Sequence, residues 1–379
     1  MSFKSNRRGF LRNLLGASAG IIVPTSSNSK ITANAMDNQI KVRKVEALGF
    51  QWETRDPFLF CVHHEDFFPE GNKNMGPPEK FLKGRNIGSD FMIKDGFRMY
   101  HGDKVPGFPG HPHRGFETIT VVRKGIVDHS DSMGATGRYG NGDVQWMTAG
   151  KGVQHAEMFP LIYEDKPNPM ELFQIWLNLP RKSKMVEPHF KMFWNDTIPV
   201  KKFIDSNGKN STVEIIAGKL EDYESQNPPP DSWAADKNNH VAIWNFHMEA
   251  GAEIDLPASV PEVNRSIYFY KGERLLIDGT TIPEYHSAIL SPEYEMKIKA
   301  GNKECRFLLL QGKPIQEPVV QHGPFVMNNR QEIQQAFNDY QRDQFGGWPY
   351  EVSGPVHDKS KGRFAYHADG SKEDKNSLH

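Results

Sequence analysis

The chain has 379 residues, 46 Lys and Arg against 47 Asp and Glu, a formal net charge of −1 and two cysteines. Near-neutrality excludes a protein that works by gripping nucleic-acid phosphates, which needs a basic surplus. With 37% hydrophobic and 25% charged residues it is a globular composition long enough for two or three domains, and Cys61 and Cys305 alone support neither a disulfide framework nor a thiolate zinc site. Any metal must rest on histidines and carboxylates.

The first thirty-five residues read as an address. Asn6-Arg7-Arg8-Gly9-Phe10-Leu11-Arg12 precedes a short apolar run, Leu14 to Val23, and Ala33-Asn34-Ala35 offers small residues flanking one other. About ten apolar residues fall well short of the roughly 20 that cross a bilayer, so no stable membrane anchor is expected. The segment resembles a twin-arginine export signal, which implies cleavage after Ala35, a periplasmic location and a chain carried across already folded with its cofactor in place. Lys4, Arg7, Arg8, Arg12 and Lys30 leave with it, so the mature chain has 41 basic against 47 acidic residues, a net charge of −6. Nucleic acid is even less plausible as a partner for that product.

From residue 40 to 61 apolar and polar residues alternate, the period of half-buried strands. Residues 64 to 110 are rich in Gly, Pro and charge and predict a long loop over the fold. Apolar clusters then recur about every ten residues, among them Ile119 to Val122, Val144 to Met147, Phe173 to Leu179, Val241 to Phe246 and Phe307 to Leu310, separated by turns such as Asn141-Gly142-Asp143 and Asp278-Gly279. Many short strands at regular spacing predict an all-β barrel or sandwich. The pattern runs twice, on either side of the irregular stretch 180–199, which divides the chain near residue 195 into domains 36–195 and 196–350. One helix is expected over 328–345, with Asn328 or Asn329 as its cap and Ile333, Ala336, Phe337 and Tyr340 on one face. The tail, 351–379, is polar enough to predict disorder.

The chemistry is concentrated in two short runs. His111-Pro112-His113 enters an apolar strand, and His155-Ala156-Glu157 repeats the spacing about forty residues later. Residues i and i+2 share a face of a strand, so two strands offering two ligands each can close a four-ligand site inside a small barrel. Three imidazoles and a carboxylate suit Fe(II), Mn, Ni, Cu or Zn and disfavour Ca and Mg. A single His-x-His is weak, since such pairs also occur as surface or core histidines; the second pair is what gives the reading its weight.

The runs His111-Pro112-His113-Arg114-Gly115-Phe116-Glu117-Thr118, Gly142 to Gly150, His155-Ala156-Glu157-Met158 and Gln321 to Asn328 resemble the pirin family of the cupin superfamily, over roughly residues 42–345. The resemblance implies a bicupin: two cupin-type β-barrels followed by the helix, with the metal in the N-terminal barrel on His111, His113, His155 and Glu157. The wider cupin pattern would use Glu117 as the carboxylate, and strand parity alone leaves both open; the nearer family favours Glu157, with Glu117 behind a ligand histidine. His247, His286 and His322 are isolated, so the second barrel is expected to hold no metal. Two departures from the family lie near the expected cavity mouth: Gly110 stands where many pirins carry Asp, and the loop from Glu65 to Val105 is long.

The activity implied is a metal-dependent dioxygenase of the quercetin 2,3-dioxygenase type, a monomer with Fe(II) as the first choice of cofactor and a flavonol or other small aromatic substrate and O2 as partners. Glu157 would be its catalytic residue, a labile ligand able to accept the substrate's proton. The competing readings are a non-catalytic metal- or redox-sensing protein of the cell envelope and a zinc hydrolase or isomerase. Gly150-Lys151-Gly152 lacks the hydroxyl of a phosphate loop. His63-His64 reads as loop, and Trp146, Phe116 and Trp176 read first as core.

Overall fold

The structure, a computed structural model, describes residues 40–375, 377 and 378. The leader, 1–35, lies outside them, and with it the export reading. The β-branched and aromatic runs found in the sequence are strands. In the first half these are β1 (Val42–Ala47), β2 (Gln51–Glu53), β3 (Phe58–Phe68), β4 (Gly107–His113), β5 (Phe116–Lys124), β6 (Ile126–Asp131), β7 (Thr136–Gly140), β8 (Val144–Thr148), β9 (Val153–Met158), β10 (Asn168–Asn178) and β11 (His189–Phe193). The second half contributes β12 (Val200–Ile204), β13 (Asn210–Ala217), the small hairpin β14 (Lys219–Leu220) and β15 (Tyr223–Glu224), β16 (Ala242–Met248), β17 (Glu253–Leu256), β18 (Asn264–Lys271), β19 (Arg274–Ile277), β20 (Thr280–Pro283), β21 (His286–Leu290), β22 (Met296–Ala300) and β23 (Cys305–Gly312).

These strands form two cupin-type barrels. The first closes a sheet ordered β11-β8-β5-β10-β3-β2 against one built on β7-β6-β9-β4; the second closes β1-β21-β18-β23-β16-β13-β12 against β17-β22-β19-β20. The two large sheets lie back to back. Ile119, Val121, Phe173 and Ile175 of one meet Ile243, Tyr268, Leu308 and Leu310 of the other in a single buried cluster. A strand buried on both faces loses its alternation, which is why Phe307 to Leu310 reads as a continuous apolar run.

The ends of the chain depart from the expected division. β1 belongs to the second barrel, paired antiparallel with β21 from Val42↔Leu290 to Ala47↔His286. The tail is ordered: β26 (Phe364–Tyr366) adds to β7 of the first barrel, and β27 (Lys372–Asp374) adds to β26. Composition misread this segment because its anchors are charged groups whose partners lie in the barrel. Arg138 pairs with Asp128 and also donates to the carbonyls of His357, Asp358 and Lys361. Arg363 meets Asp143 at 2.8 Å, both buried. The long loop is also shorter than expected, since β3 runs on through Phe68 and β4 starts at Gly107. Between them lie the one-turn helix α1 (Glu79–Leu82) and Phe97, Met99 and Tyr100, which are buried in the first barrel's core.

After β24 (Val320–His322) and β25 (Phe325–Met327) comes the expected helix, α2 (Arg330–Asp343). Asn329 caps it, its side chain accepting from the Glu332 N–H at 2.9 Å, and Ile333 and Ala336 pack on Phe325 and Met327. It lies against the first barrel: Arg114 reaches Asp339 at 2.8 Å, and the Tyr340 hydroxyl donates to Gln154 on β9 at 3.1 Å.

Candidate metal centre

Strands β4 and β9 are antiparallel neighbours with His111 opposite His155. A bulge between Phe108 and His111 sets Pro109 and Gly110 opposite the single residue Ala156, and both histidines of β4 point inward. Ring centroids are 4.7 Å apart for His111 and His113, 4.4 Å for His111 and His155, and 4.9 Å for His113 and His155. Their ligand atoms all lie within 4.8 Å of one another. His111 Nδ1 donates to the Pro109 carbonyl at 3.0 Å, so Nε2 keeps the lone pair.

Relative exposures are 8% for His111, 4% for His113 and 0% for His155. Burial pushes His111 down to about 4, and holds His113 and His155 well below the usual imidazole range. All three are neutral at pH 7, the state that binds a metal. Neither ring nitrogen of His155 has a hydrogen-bond partner, and His113 Nδ1 has none. Orphaned polar atoms of this kind cost about 1–3 kcal/mol each. Three neutral imidazoles converging with bare buried nitrogens fit a divalent cation taking three ligands here and retaining open positions.

Glu157 stands beside them, its Oε2 4.0 Å from His155 Nε2. Oε1 is 2.8 Å from Thr120 Oγ1, which is 2.7 Å from the Gln174 amide, whose nitrogen donates to Oε2 at 2.7 Å. This is a closed ring of three contacts. The Thr120 hydroxyl has one hydrogen to share between Glu157 and Gln174, and the Gln174 amide donates to the carboxyl's other oxygen. Burial raises the Glu157 pKa, against the lowering pull of its hydrogen bonds from Thr120 and Gln174.

Glu117 does not stand behind a ligand histidine. The chain turns at Gly115, where φ is +86° and a Cβ would meet the Val326 carbonyl at 2.0 Å, so parity counted from His113 fails across the turn. Glu117 faces the second half of the molecule and accepts from Thr148 at 2.7 Å and Ser232 at 2.5 Å.

The interior beyond the ligands combines aromatic and polar groups. Trp176 stacks on Phe116 at 3.9 Å and presents an edge to His113 at 5.3 Å, so these two aromatics line the site. Trp146 is instead core between the barrels. Two histidines were missed. His129, opposite Glu157 on β6, lies 5.5 Å from His155 and meets Asp131 at 3.1 Å; its signal was a His-x-Asp alternation inside a strand. His64 is no loop residue: its register with Leu172, two positions from Gln174, puts it on the inner face of β3. Arg98 and the Tyr100 hydroxyl both donate to Asp66, so the Tyr100 oxygen accepts from His64 Nδ1 at 2.9 Å. Burial first, then Arg98, pushes His64 down to about 3, and its Nε2 carries a lone pair. Alternating Phe60, Val62, His64, Asp66 and Phe68 was the signal in the sequence.

Comparison with known proteins agrees with this geometry. Residues 41–177 match the Pirin family model and residues 243–346 match the Pirin C-terminal cupin domain. Human pirin is 34% identical over 280 residues, 72% of this chain and 87% of that protein. The chain belongs to the pirin family. A pirin-like protein of Solanum lycopersicum is 36% identical over 255 residues, covering 66% of this chain and 80% of its own length. A Vibrio cholerae protein provisionally named quercetin 2,3-dioxygenase is 35% identical over 258 residues, 68% of this chain and 86% of that protein. Among solved structures, a quercetin 2,3-dioxygenase from Acinetobacter baumannii superposes with a TM-score of 0.62 at 26% identity, covering 81% of this pirin-family chain and 98% of the other. Both family models end by residue 346, so the strands of the tail lie beyond them.

Proposed function

We propose that this chain is a metal-dependent dioxygenase that opens flavonols or related phenolics with O2, its metal held by His111, His113 and His155 with Glu157 as a labile fourth ligand. The observation that carries the reading is the set of three buried, converging, neutral imidazoles, with ring nitrogens of His113 and His155 lacking any hydrogen-bond partner, beside a buried carboxyl whose pKa is raised. Fe(II) is the first choice, with Mn, Ni, Cu or Zn able to occupy the same donor set. Bound there, such an ion supplies Lewis acidity toward an enol oxygen and a partner for O2. The chain does the rest. Glu157, 4.0 Å from His155, would as a carboxylate be the base that accepts the proton of the substrate's acidic hydroxyl. Thr120 and Gln174 hold the carboxyl when it is not engaged. Phe116 and Trp176 offer a flat wall for an aromatic ring, and the closed barrel limits water.

Purified protein loaded with Fe(II) should consume O2 as flavonol absorbance falls, and Glu157→Gln should slow turnover by about 10²–10⁴-fold, the usual worth of a positioned acid-base group. Turnover unchanged in Glu157→Gln would remove the carboxyl from the mechanism. The near-complete enclosure of the triad favours one competing reading, a metal- or redox-sensing binding protein. Metal binding without O2 uptake across a phenolic screen would select it. The reading includes export to the periplasm, supported by Arg7-Arg8 and Ala33-Asn34-Ala35; retention in the cytoplasm when both arginines are changed to lysine checks it.

A further inference from the structure

The interior of the second barrel is lined mainly by apolar side chains. Arg265 on β18 faces inward at one end and is 2% exposed. It lies in a cross-strand row, with Gln311 of β23 and Ala242 of β16 on one side and Leu290 of β21 on the other. Its Nε donates to Gln311 Oε1 at 2.6 Å and its Nη1 to the Pro257 carbonyl at 2.7 Å. Gln311 is held in that orientation because its own Nε2 donates to the His240 carbonyl at 3.0 Å.

Both acceptors of the guanidinium are uncharged, which sets it apart. Among the described residues five arginines are buried. Arg98 has Asp66, Arg114 has Asp339, Arg138 has Asp128 and Arg363 has Asp143. Arg265 has no carboxylate, and desolvation alone, uncompensated, pushes it down to about 10. A buried charge without a counter-charge is among the costliest features a fold can carry. Its Nη2 makes no hydrogen bond within the protein and is not among the atoms sealed from solvent. Arg265 lines a cleft of about 720 Å³ whose walls also include Gln311, Ala242, Trp244 and Leu220. The acidic residues on its rim are already taken, Glu221 by Lys201 and Glu224 by Lys237.

We propose that this cleft is a second ligand site that binds a small organic carboxylate, the carboxylate on the Arg265 fork and its apolar body against Trp244, Leu220 and Ala242. One buried cation matches one negative charge, the planar guanidinium matches a carboxylate in two-point geometry, and the apolar walls select an organic body over a bare inorganic anion. The site is built from residues of the second barrel alone and does not rest on the dioxygenase reading.

Benzoate is the probe, with benzamide as its uncharged counterpart and inorganic phosphate as the anion without an apolar body. Calorimetry on the full chain should show one saturable benzoate site, no benzamide binding and at least tenfold weaker phosphate binding. Arg265→Met should weaken benzoate at least tenfold. Gln311→Glu, which sets a carboxylate of the same size against the guanidinium, should do the same, and it decides the matter if Arg265→Met does not fold. His113→Ala should leave benzoate binding unchanged. The proposal is overturned if wild type shows no saturable benzoate binding, if benzamide or phosphate binds as tightly as benzoate, or if the folded variants keep wild-type affinity.

Discussion

The two barrels share an architecture and differ in what they turn inward. In the first, the inward positions of β5, β8 and β10 include Thr118, Thr120, Gln145 and Gln174, and β4 and β9 add three histidines and Glu157. In the second, the matching face is Val213, Ile215, Phe246, Ile267, Phe269, Phe307 and Leu309. The second interior is stabilised by apolar burial, at about 25 cal/mol per Å² removed from water. The first gives up much of that term in exchange for hydrogen-bonding groups that hold a carboxyl and for three converging imidazoles, two of which have ring nitrogens with no hydrogen-bond partner. One barrel therefore carries stability and the other carries chemistry, and the chemical one is braced from outside by α2 and the tail strands.

Breaking that division should produce its largest effect at the ligands. His155→Ala removes a donor whose two ring nitrogens have no other partner. We expect metal content after dialysis to fall from about one per chain to near zero, while the midpoint of thermal unfolding measured without metal stays put or rises, because an unsatisfied buried group has gone. The converse change is Phe307→Ala, in the ring that stacks on Phe246 at 4.4 Å inside the second barrel. It should cost about 3–5 kcal/mol of stability in urea unfolding and leave metal affinity unchanged. Metal loss in Phe307→Ala would show that the barrels are not separable in this way.

Glu117 tests the join between them. It is buried on the outer face of β5 and bonded to Ser232, and burial raises its pKa from 4.5 to about 7. Because the folded state holds this proton more tightly than the unfolded chain, the stability it contributes is complete below about pH 4.5 and is lost as pH rises through about 7. A shift of that size corresponds to roughly 3 kcal/mol, to order of magnitude. Glu117→Gln should therefore flatten the stability profile between pH 5 and 8, leaving the variant the more stable protein at pH 8, with metal binding intact. A profile as steep as wild type would place the titrating group elsewhere.

What could be read from the sequence follows the range of the physics involved. The His-x-His and His-x-Glu pairs were legible because strand parity is local: once β4 and β9 are neighbours, His111, His113 and His155 must share a face. The strand runs and the α2 face of Ile333 and Ala336 were legible for the same reason. Glu117 was misplaced because parity does not survive the turn at Gly115. His64 was set aside because the polar run that follows it hid the end of β3, and the partners that define its role, Tyr100 and Asp66, meet only through the fold. The tail was misread because charge suggests solvent unless the buried counter-charges, Asp128 and Asp143, are known to lie opposite.

The smallest expected effect concerns the outside bracing. Asn329 caps α2, and Tyr340 of that helix and Gln344 just past its end are both bonded to Gln154, the residue before His155. Asn329→Ala should lower stability by about 1 kcal/mol, the usual worth of an N-cap. If β4 and β9 position the histidines by their own register, metal affinity will not move with it, since loosening Gln154 acts on the outer face of β9 while His155 is fixed by pairing with His111 and Asp131 on either side. A drop in affinity that tracks the loss of helix would instead make α2 part of the machinery that holds the centre in shape.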